Sequence, residues 1–333
     1  MKNPPRTMRI GVLVYPGCLR SSAVVPLDVL RIANTLAGYR PVAERVRFEC
    51  TWLGARGEPT LAVDGLTFAL APLAEARLDA LVLPAVAHDA PHQLAQALAG
   101  LEPEQAALAA YAQGGGLLVS SCSGTGLVAR TGLLDGRRAT ISWWLSGWFR
   151  HTFPEVRLDA DALVVQDGTL VTSGGFGSTL DLSLWLVGHF GGEALRQLTA
   201  RILVMDAHRA SQAPYVSDAI AAQGAHPTIE RARRWLNARL DKPWAMAELA
   251  AHCALSQRTL LRRFREALGL SPVQYAQQLR VERAKALLET TGLSLEEITV
   301  RCGYEDAATF SKVFKRWAAL TPREYRVRFA LVR

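Results

Sequence analysis

Between residues 9 and 205 short β-branched or aliphatic runs alternate with amphipathic stretches. Residues 9–15, 46–53, 80–84 and 116–121 read as strands closed by turn residues, and 24–36 and 104–113 as helices between or after them. Strand and helix in this alternation predict a parallel sheet covered on both faces, whose ligands gather at the carboxyl ends of the strands. Two consecutive helices are predicted over 177–205, parted near Gly191-Gly192. Periodicity then fails in the stretch DAHRASQAPYVSDAIAAQGAHP, which collects Ser, Gln, Pro and Gly. An interdomain linker is therefore expected over 206–226, between a first domain at 1–205 and a second at 227–333.

From Thr228 the pattern is helical to the end. Ser294 with Glu297 three residues on forms a capping box that starts a helix over 295–302, and Gly303 closes it. Ser271-Pro272 and Thr321-Pro322 each open another helix, with Pro where a missing N–H costs nothing. The helix over 272–289 connects two units that echo each other. Ser256, Thr259, Leu260, Phe264, Arg265, Leu270, Ser271, Pro272 and Tyr275 recur 50 positions later as Asp306, Thr309, Phe310, Phe314, Lys315, Leu320, Thr321, Pro322 and Tyr325. One supersecondary unit is thus used twice, and each copy reads as two short helices joined by a tight turn, the pattern of a helix-turn-helix.

In the first copy a helix around 248–252 precedes a turn at Ala254-Leu255 and a second helix capped by Ser256. Leu260 and Phe264, four apart, should pack inward, which turns Arg258, Leu261, Arg262 and Arg265 to other faces. Arginine suits guanine edges and backbone phosphates, so Arg258, Leu261 and Arg262 are the expected base contacts on double-stranded DNA. In the second copy a helix over 307–317 should bury Phe310 and Phe314 and present Ala308, Ser311 and Lys312, with Lys315 in the place of Arg265. Its face is less polar and should specify fewer bases.

Charge placement supports this division. From residue 226 onward there are 20 Lys and Arg against 11 Asp and Glu, which leaves 18 against 19 before it, so the formal +8 belongs to the last third of the chain. A basic module joined to a near-neutral one implies a polyanion partner for the first and another task for the second. The five cysteines, Cys18, Cys50, Cys122, Cys253 and Cys302, are scattered and form no CxxC pair. This argues against a disulfide framework and a zinc site and favours a reducing cytosol; no metal or cofactor is expected. No apolar run reaches about 18 residues, and the basic start leads straight into a strand rather than a signal-peptide core. A cytoplasmic protein is expected.

The segments AELAAHCALSQRTLLRRFREALGLSPVQY and EEITVRCGYEDAATFSKVFKRWAALTPREYR resemble the AraC/XylS family of bacterial transcription factors. That resemblance, over residues 226–333, implies two helix-turn-helix motifs joined by one long helix, with both recognition helices in successive major-groove segments about 34 Å apart. One departure is Ala318-Ala319, where the family usually has an aromatic residue and Gly; the last turn should change but the fold should survive.

A second informative stretch is GGGLLVSSCSGTGLVARTGLLDGRRATISWW. A strand ends at Ser121, Cys122 follows, and Gly124 and Gly126 open a helix, so Cys122 lies on a strand-to-helix elbow where a helix N-terminus would favour a thiolate. With VYPG at 14–17, DALVLP, GLLDGRRAT at 132–140 and TSGGFGSTLDLSLWLV at 172–187, this resembles the PfpI-like domains of the class I glutamine amidotransferase superfamily. Nearly all of residues 8–333 resemble the GlxA-type regulators, which fuse such a domain to an AraC-type one. The implied fold class is an α/β three-layer sandwich, flavodoxin-like and PfpI-like, followed by an all-α domain with two helix-turn-helix motifs.

Catalysis would require a base near Cys122, a group to orient it and backbone donors for an oxyanion. The His common after the GLLDGRRAT segment is replaced by Ser142, a carboxylate common after the first strand by Ser22, and the Gly-rich turn after the third strand by Ala85-Val86. His88, His92 and His151 read as surface or loop histidines. No enzyme is expected. The reading is a retired catalytic pocket that senses a small effector, by resemblance an amino acid or amine derivative, lined by Cys122, Ser123, Ser142, Trp143, Tyr15 and Gly17. Trp143 could hold a cationic or quaternary-ammonium group, whereas Trp144 and Trp148 read as core packing. The expected protein is a homodimeric activator, for which RNA polymerase is a further partner. The alternatives are a cysteine-dependent amidohydrolase-like enzyme tethered to DNA and a ligand-independent DNA-binding protein.

Overall fold

The structure, a computed structural model, describes residues 6–206, 209–217 and 227–331. The expected linker thus lies partly outside the described residues, at 207–208 and 218–226. The chain divides into two compact units, one up to Leu145 and from Phe153 to Ala210, the other of Ser146–Thr152 and the residues from Ser211 onward.

In the first unit β1 (Arg6–Leu13) leads through α1 (Arg20–Ala37) to β2 (Val46–Gly54). The short β3 (Thr60–Val63), β4 (Leu66–Ala69) and β5 (Ala71–Pro72) precede β6 (Ala80–Leu83), α2 (Pro91–Ala99), α3 (Glu102–Gln113) and β7 (Leu117–Ser121). Then come α4 (Gly124–Arg130), β8 (Arg138–Ala139), β9 (Arg157–Leu158), β10 (Val164–Asp167), β11 (Leu170–Ser173), α6 (Ser178–Gly191) and α7 (Glu193–Ile202); the helix between β8 and β9, α5 (Ser146–Thr152), groups with the other unit. The main sheet runs β10-β11-β7-β6-β1-β2-β5. Its central strand β6 is buried at every position, which a two-sided cover requires. Helices α1, α6 and α7 pack together, and α4 packs with α2 and α3. The sheet departs from an all-parallel one at β10, which pairs antiparallel with β11 across a Gly168 turn at φ +61°. Asp167 pairs with Leu170, so the loop is Gly168-Thr169, with glycine at the first central position as a II′ hairpin turn requires.

The second unit contains α8 (Pro227–Asn237), α9 (Met246–His252), α10 (Gln257–Leu268), α11 (Pro272–Thr290), α12 (Leu295–Arg301), α13 (Ala307–Ala318) and α14 (Pro322–Phe329). The expected caps form at Ser256, whose Oγ accepts the Thr259 amide at 3.2 Å, and at the Ser294 capping box; Asp306 Oδ1 likewise accepts the Thr309 amide at 2.7 Å, and Ser271 and Thr321 also close capping boxes. Two apolar cores result. Phe264 lies in the first and packs edge-on against Tyr275 at 5.6 Å between ring centres; Phe314 and Tyr325 repeat this in the second at 5.5 Å. Helix α11 serves both, giving Tyr275, Ala276 and Leu279 to the first core and Val281, Ala284 and Leu288 to the second. The step from Leu279 to Val281 turns the helix by about 200°, so the two cores occupy opposite sides of it. Residues Ala213 and Val216 are held to the same helix by the buried Lys285, whose Nζ donates to their carbonyls at 3.3 and 3.1 Å and pairs with Glu282 at 2.8 Å.

The two copies differ at their turns. In the first, left-handed Ala254 (φ +55°) precedes the cap Ser256 by two residues; in the second, Gly303 (φ +74°) precedes Asp306 by three. Gly303 is required on space as well, since a Cβ there would meet the Leu240 carbonyl at 2.2 Å. After the second helices, Gly269 (φ +70°) and Ala319 (φ +53°) take the same left-handed conformation. The last turn is therefore retained, with the strain of an L side chain in that region. Ala319→Gly is expected to raise stability by about 1 kcal/mol, and Gly269→Ala to lower it by about as much. Urea unfolding of the full chain, followed by helical circular dichroism, measures both.

Candidate functional site

In the second unit the inward positions of the two second helices are filled by Leu260 and Phe264 on α10 and by Phe310 and Phe314 on α13, all fully buried. Their burial fixes the opposite faces. On α10, Arg258, Arg262 and Arg265 are exposed and Leu261 half-buried; on α13, Ala308, Lys312 and Lys315 are exposed and Ser311 half-buried. Every residue expected to face a nucleic acid thus reaches the surface. One interaction was not foreseen: the Arg262 guanidinium bonds Glu266 Oε1 at 2.8 Å, one turn further along. Spacing of four on a helix supplies such pairs, and both partners are solvated, so the pair is weak and readily exchanged. At the start of α13 the exposed Asp306 carboxyl is held below its ordinary range by the Thr309 amide it caps.

In the first unit Cys122 stands on the predicted elbow, at φ +52°, after β7 and before α4. Gly124 lets the chain turn there, because a Cβ would come within 2.4 Å of the Pro84 carbonyl oxygen. The expected thiolate is corrected. Helix α4 has only seven residues, and burial pushes the Cys122 thiol pKa up against hydrogen bonds from Ser142 and Ser123 that pull it down. Its Sγ lies 2.8 Å from Ser142 Oγ, so the residue in the base's sequence place also occupies its spatial place. The other replaced groups are similarly satisfied. Ser22 Oγ accepts the Ala85 amide at 3.0 Å and donates to the Leu19 carbonyl at 2.7 Å; Ser123 Oγ accepts the Val86 amide at 3.0 Å and donates to the Val86 carbonyl at 2.8 Å. Both amides of the Ala85-Val86 turn are spent on hydroxyls.

The remaining expected ligand residues are placed as follows. Tyr15 is buried, its hydroxyl donates to the Pro84 carbonyl at 2.6 Å, and burial drives its pKa well up. Gly17, at φ +75°, accepts the Ala87 amide at 2.8 Å. Trp143 is half-buried in the 3-10 turn Trp143–Leu145. His92 and His151 are exposed; His88 is a loop residue as read, but half-buried, and Trp144 stacks on it with ring centres 5.0 Å apart at 20°. Its position just past the third predicted strand, at a carboxyl end, was the available signal; the pairing with a residue 56 positions away was not readable.

The family described as "Helix-turn-helix domain" matches residues 249–328. The HTH-type transcriptional regulator ArgR of Pseudomonas aeruginosa is 31% identical over 242 residues, 72% of this chain and 71% of that protein. CdhR, an HTH-type transcriptional regulator of the same species, is 27% identical over 326 residues, 94% of this chain and 90% of that one. GbdR, another from that species, is 29% identical over 220 residues, 66% of this chain, and the match spans 60% of GbdR's own length. The crystal structure of a transcriptional regulator protein from Vibrio parahaemolyticus covers 60% of this chain and 100% of that one at TM-score 0.51 and 20% identity, a likeness of fold. With the doubled helix-turn-helix, its caps and its exposed basic faces, these matches establish that the chain belongs to the AraC-type helix-turn-helix transcriptional regulators, DNA-binding proteins, in the GlxA-like subgroup.

Proposed function

We propose that the chain is a cytoplasmic, homodimeric transcriptional activator whose 227–333 domain reads DNA unequally with its two copies and whose 1–205 domain, joined by the 206–226 linker, senses a small metabolite. Arg258, Leu261 and Arg262 on α10 contact base edges, with Arg265 on phosphate. Ala308, Ser311 and Lys312 on α13, with Lys315, mainly anchor the second helix. The inequality rests on the assigned faces: that of α10 carries three exposed guanidiniums, each able to bond a guanine bidentately, whereas that of α13 carries two ammonium groups that act as point charges, its one exposed guanidinium, Arg316, lying outside the assigned positions. Dimerisation through the first domain would place paired readers on repeated half-sites and raise their effective concentration. An activator bound there would act on RNA polymerase.

The sensing role, in place of catalysis, is supported above all by the hydroxyls around Cys122. A nucleophile needs a base, and Ser142 is not one; an oxyanion needs free donors, and the Ala85 and Val86 amides are bonded to Ser22 and Ser123. Cys122, Ser123, Ser142, Trp143, Tyr15 and Gly17 are the residues around which an amino acid or amine derivative would bind. A ligand switches the protein only through unequal affinity for two arrangements. A thermal-shift screen of metabolites on the full chain, followed by promoter binding with each hit, tests this; a metabolite that raises the melting temperature and changes promoter affinity supports it, and unchanged values across the panel would overturn it.

Arg258→Ala and Arg262→Ala are each expected to cost about 1–3 kcal/mol of promoter affinity and to relax sequence preference at one base pair. Lys315→Ala should instead weaken binding evenly across sequences and reduce the salt slope by about 1. Fluorescence anisotropy over a series of operator variants and salt concentrations separates the two outcomes. Cys122, buried and kept as the thiol, should alkylate with iodoacetamide on the order of ten times more slowly than a free thiol. Mass spectrometry of partly labelled protein checks this, and amide or glyoxal turnover that is lost in Cys122→Ala would revive the enzyme reading.

A further inference from the structure

Three segments of the first unit meet at His88. The loop that carries it is tied to the turn after β1 by the Ala87 amide, which donates to the Gly17 carbonyl at 2.8 Å, and by a bridge between Cys18 and Val86. It is tied to the elbow by Ser123, which holds both the amide and the carbonyl of Val86. The same Val86 carbonyl lies 2.8 Å from His88 Nδ1, and Trp144, two residues beyond Ser142, stacks on the ring. The site lies at the carboxyl ends of β1, β6 and β7, where ligands of such sheets collect.

The tautomer follows from this geometry. A carbonyl oxygen only accepts, so Nδ1 carries the proton and Nε2 presents a lone pair. Burial, the larger effect, pulls the imidazole pKa down, against the Val86 carbonyl and the Asp89 carboxylate, which favour the charged ring. A neutral ring with a bare Nε2 results. That nitrogen is buried and meets no hydrogen-bond partner among the described residues. A buried acceptor without a donor is uncommon enough in folded proteins to require a cause.

We propose that His88 Nε2 is the polar anchor of the effector site, accepting a hydrogen bond from an N–H of a primary or secondary ammonium ligand whose apolar part packs against Trp144. This rests on the sensor reading and narrows it. The lone pair needs a donor, and the Asp89 carboxylate beside it favours a cation. A quaternary ammonium, which an aromatic face alone could hold, has no N–H to offer and is disfavoured.

The test uses full-length protein labelled with nitrogen-15 at histidine and two probes matched except for their N–H groups, phenethylammonium and its N,N,N-trimethyl counterpart. Phenethylammonium should shift the His88 Nε2 resonance and bind at least about tenfold more tightly than the trimethyl probe. His88→Phe should abolish the difference, and His88→Gln, which keeps an acceptor, should retain much of it. Equal binding of the two probes, or a His88 resonance unmoved by both, overturns the proposal. The two readings fail separately. A metabolite that changes promoter affinity equally in wild type and His88→Phe leaves the sensor standing and removes His88 from it. A probe that shifts His88 Nε2, in a protein whose promoter affinity no metabolite changes, keeps the site and removes the sensor.

Discussion

The helical unit depends on one constraint, the sharing of helix α11 between two apolar cores. Tyr275 and Leu279 face one core, and Val281 and Leu288 face the other after about 200° of rotation. A helix of 19 residues is a spacer of about 28 Å. Each core pins one recognition helix through a fully buried aromatic ring, Phe264 or Phe314, held edge-on by a tyrosine that opens the next helix. Position along α11 and rotation about it therefore set where two otherwise independent basic faces stand. Such spacing by a shared helix resists thermal averaging better than a loop would, since each end is locked by its own core.

The carboxyl edge of the first unit's sheet combines a strained elbow with a close network of hydroxyls. The elbow is left-handed at Cys122, the backbone approaches closely at Gly124, and the sulfur is buried. The groups around them are hydroxyls, and each satisfies a backbone or side-chain partner: Ser142 with Cys122, Ser22 with Ala85, Ser123 with Val86. Serine fits this role because it both donates and accepts and carries no charge to bury. The result is a rigid polar core at the carboxyl edge of a parallel sheet. Within it His88 Nε2 is, like Ser173 Oγ, a buried polar atom with no described partner.

Much of this was legible in the chain. Ser256 and Ser294 cap as expected, and Ser271, Asp306 and Thr321 cap as well, because a cap is an interaction across three residues and needs no tertiary partner. The inward rings of α10 and α13 followed from spacing of four on a helix. The elbow was legible too, as a strand run ending in Cys122 and then glycines. Less accessible were β5, β8 and β9, each of two residues, whose pairing is supplied by distant neighbours rather than by their own pattern, whereas β3 and β4 pair with each other across Asp64-Gly65, both at positive φ, a local Asp-Gly signal. The β10–β11 hairpin carried its signal in Gly168, the first residue of its two-residue turn, and its antiparallel edge strand was the departure from the parallel pattern.

Local order and chain periodicity thus reside in the sequence itself: where helices start, which faces are apolar, that one helical unit is used twice, and that the basic charge belongs to it. These properties depend on neighbours within a turn or two, so a linear reading reaches them. The protonation of Cys122, the spending of the Ala85 and Val86 amides, the left-handed Ala319 in a place that glycine usually fills, and the stacking of Trp144 on His88 arose only on folding. Each is set by burial or by a partner tens of residues away, and both quantities come into being when the sheet brings its carboxyl ends together.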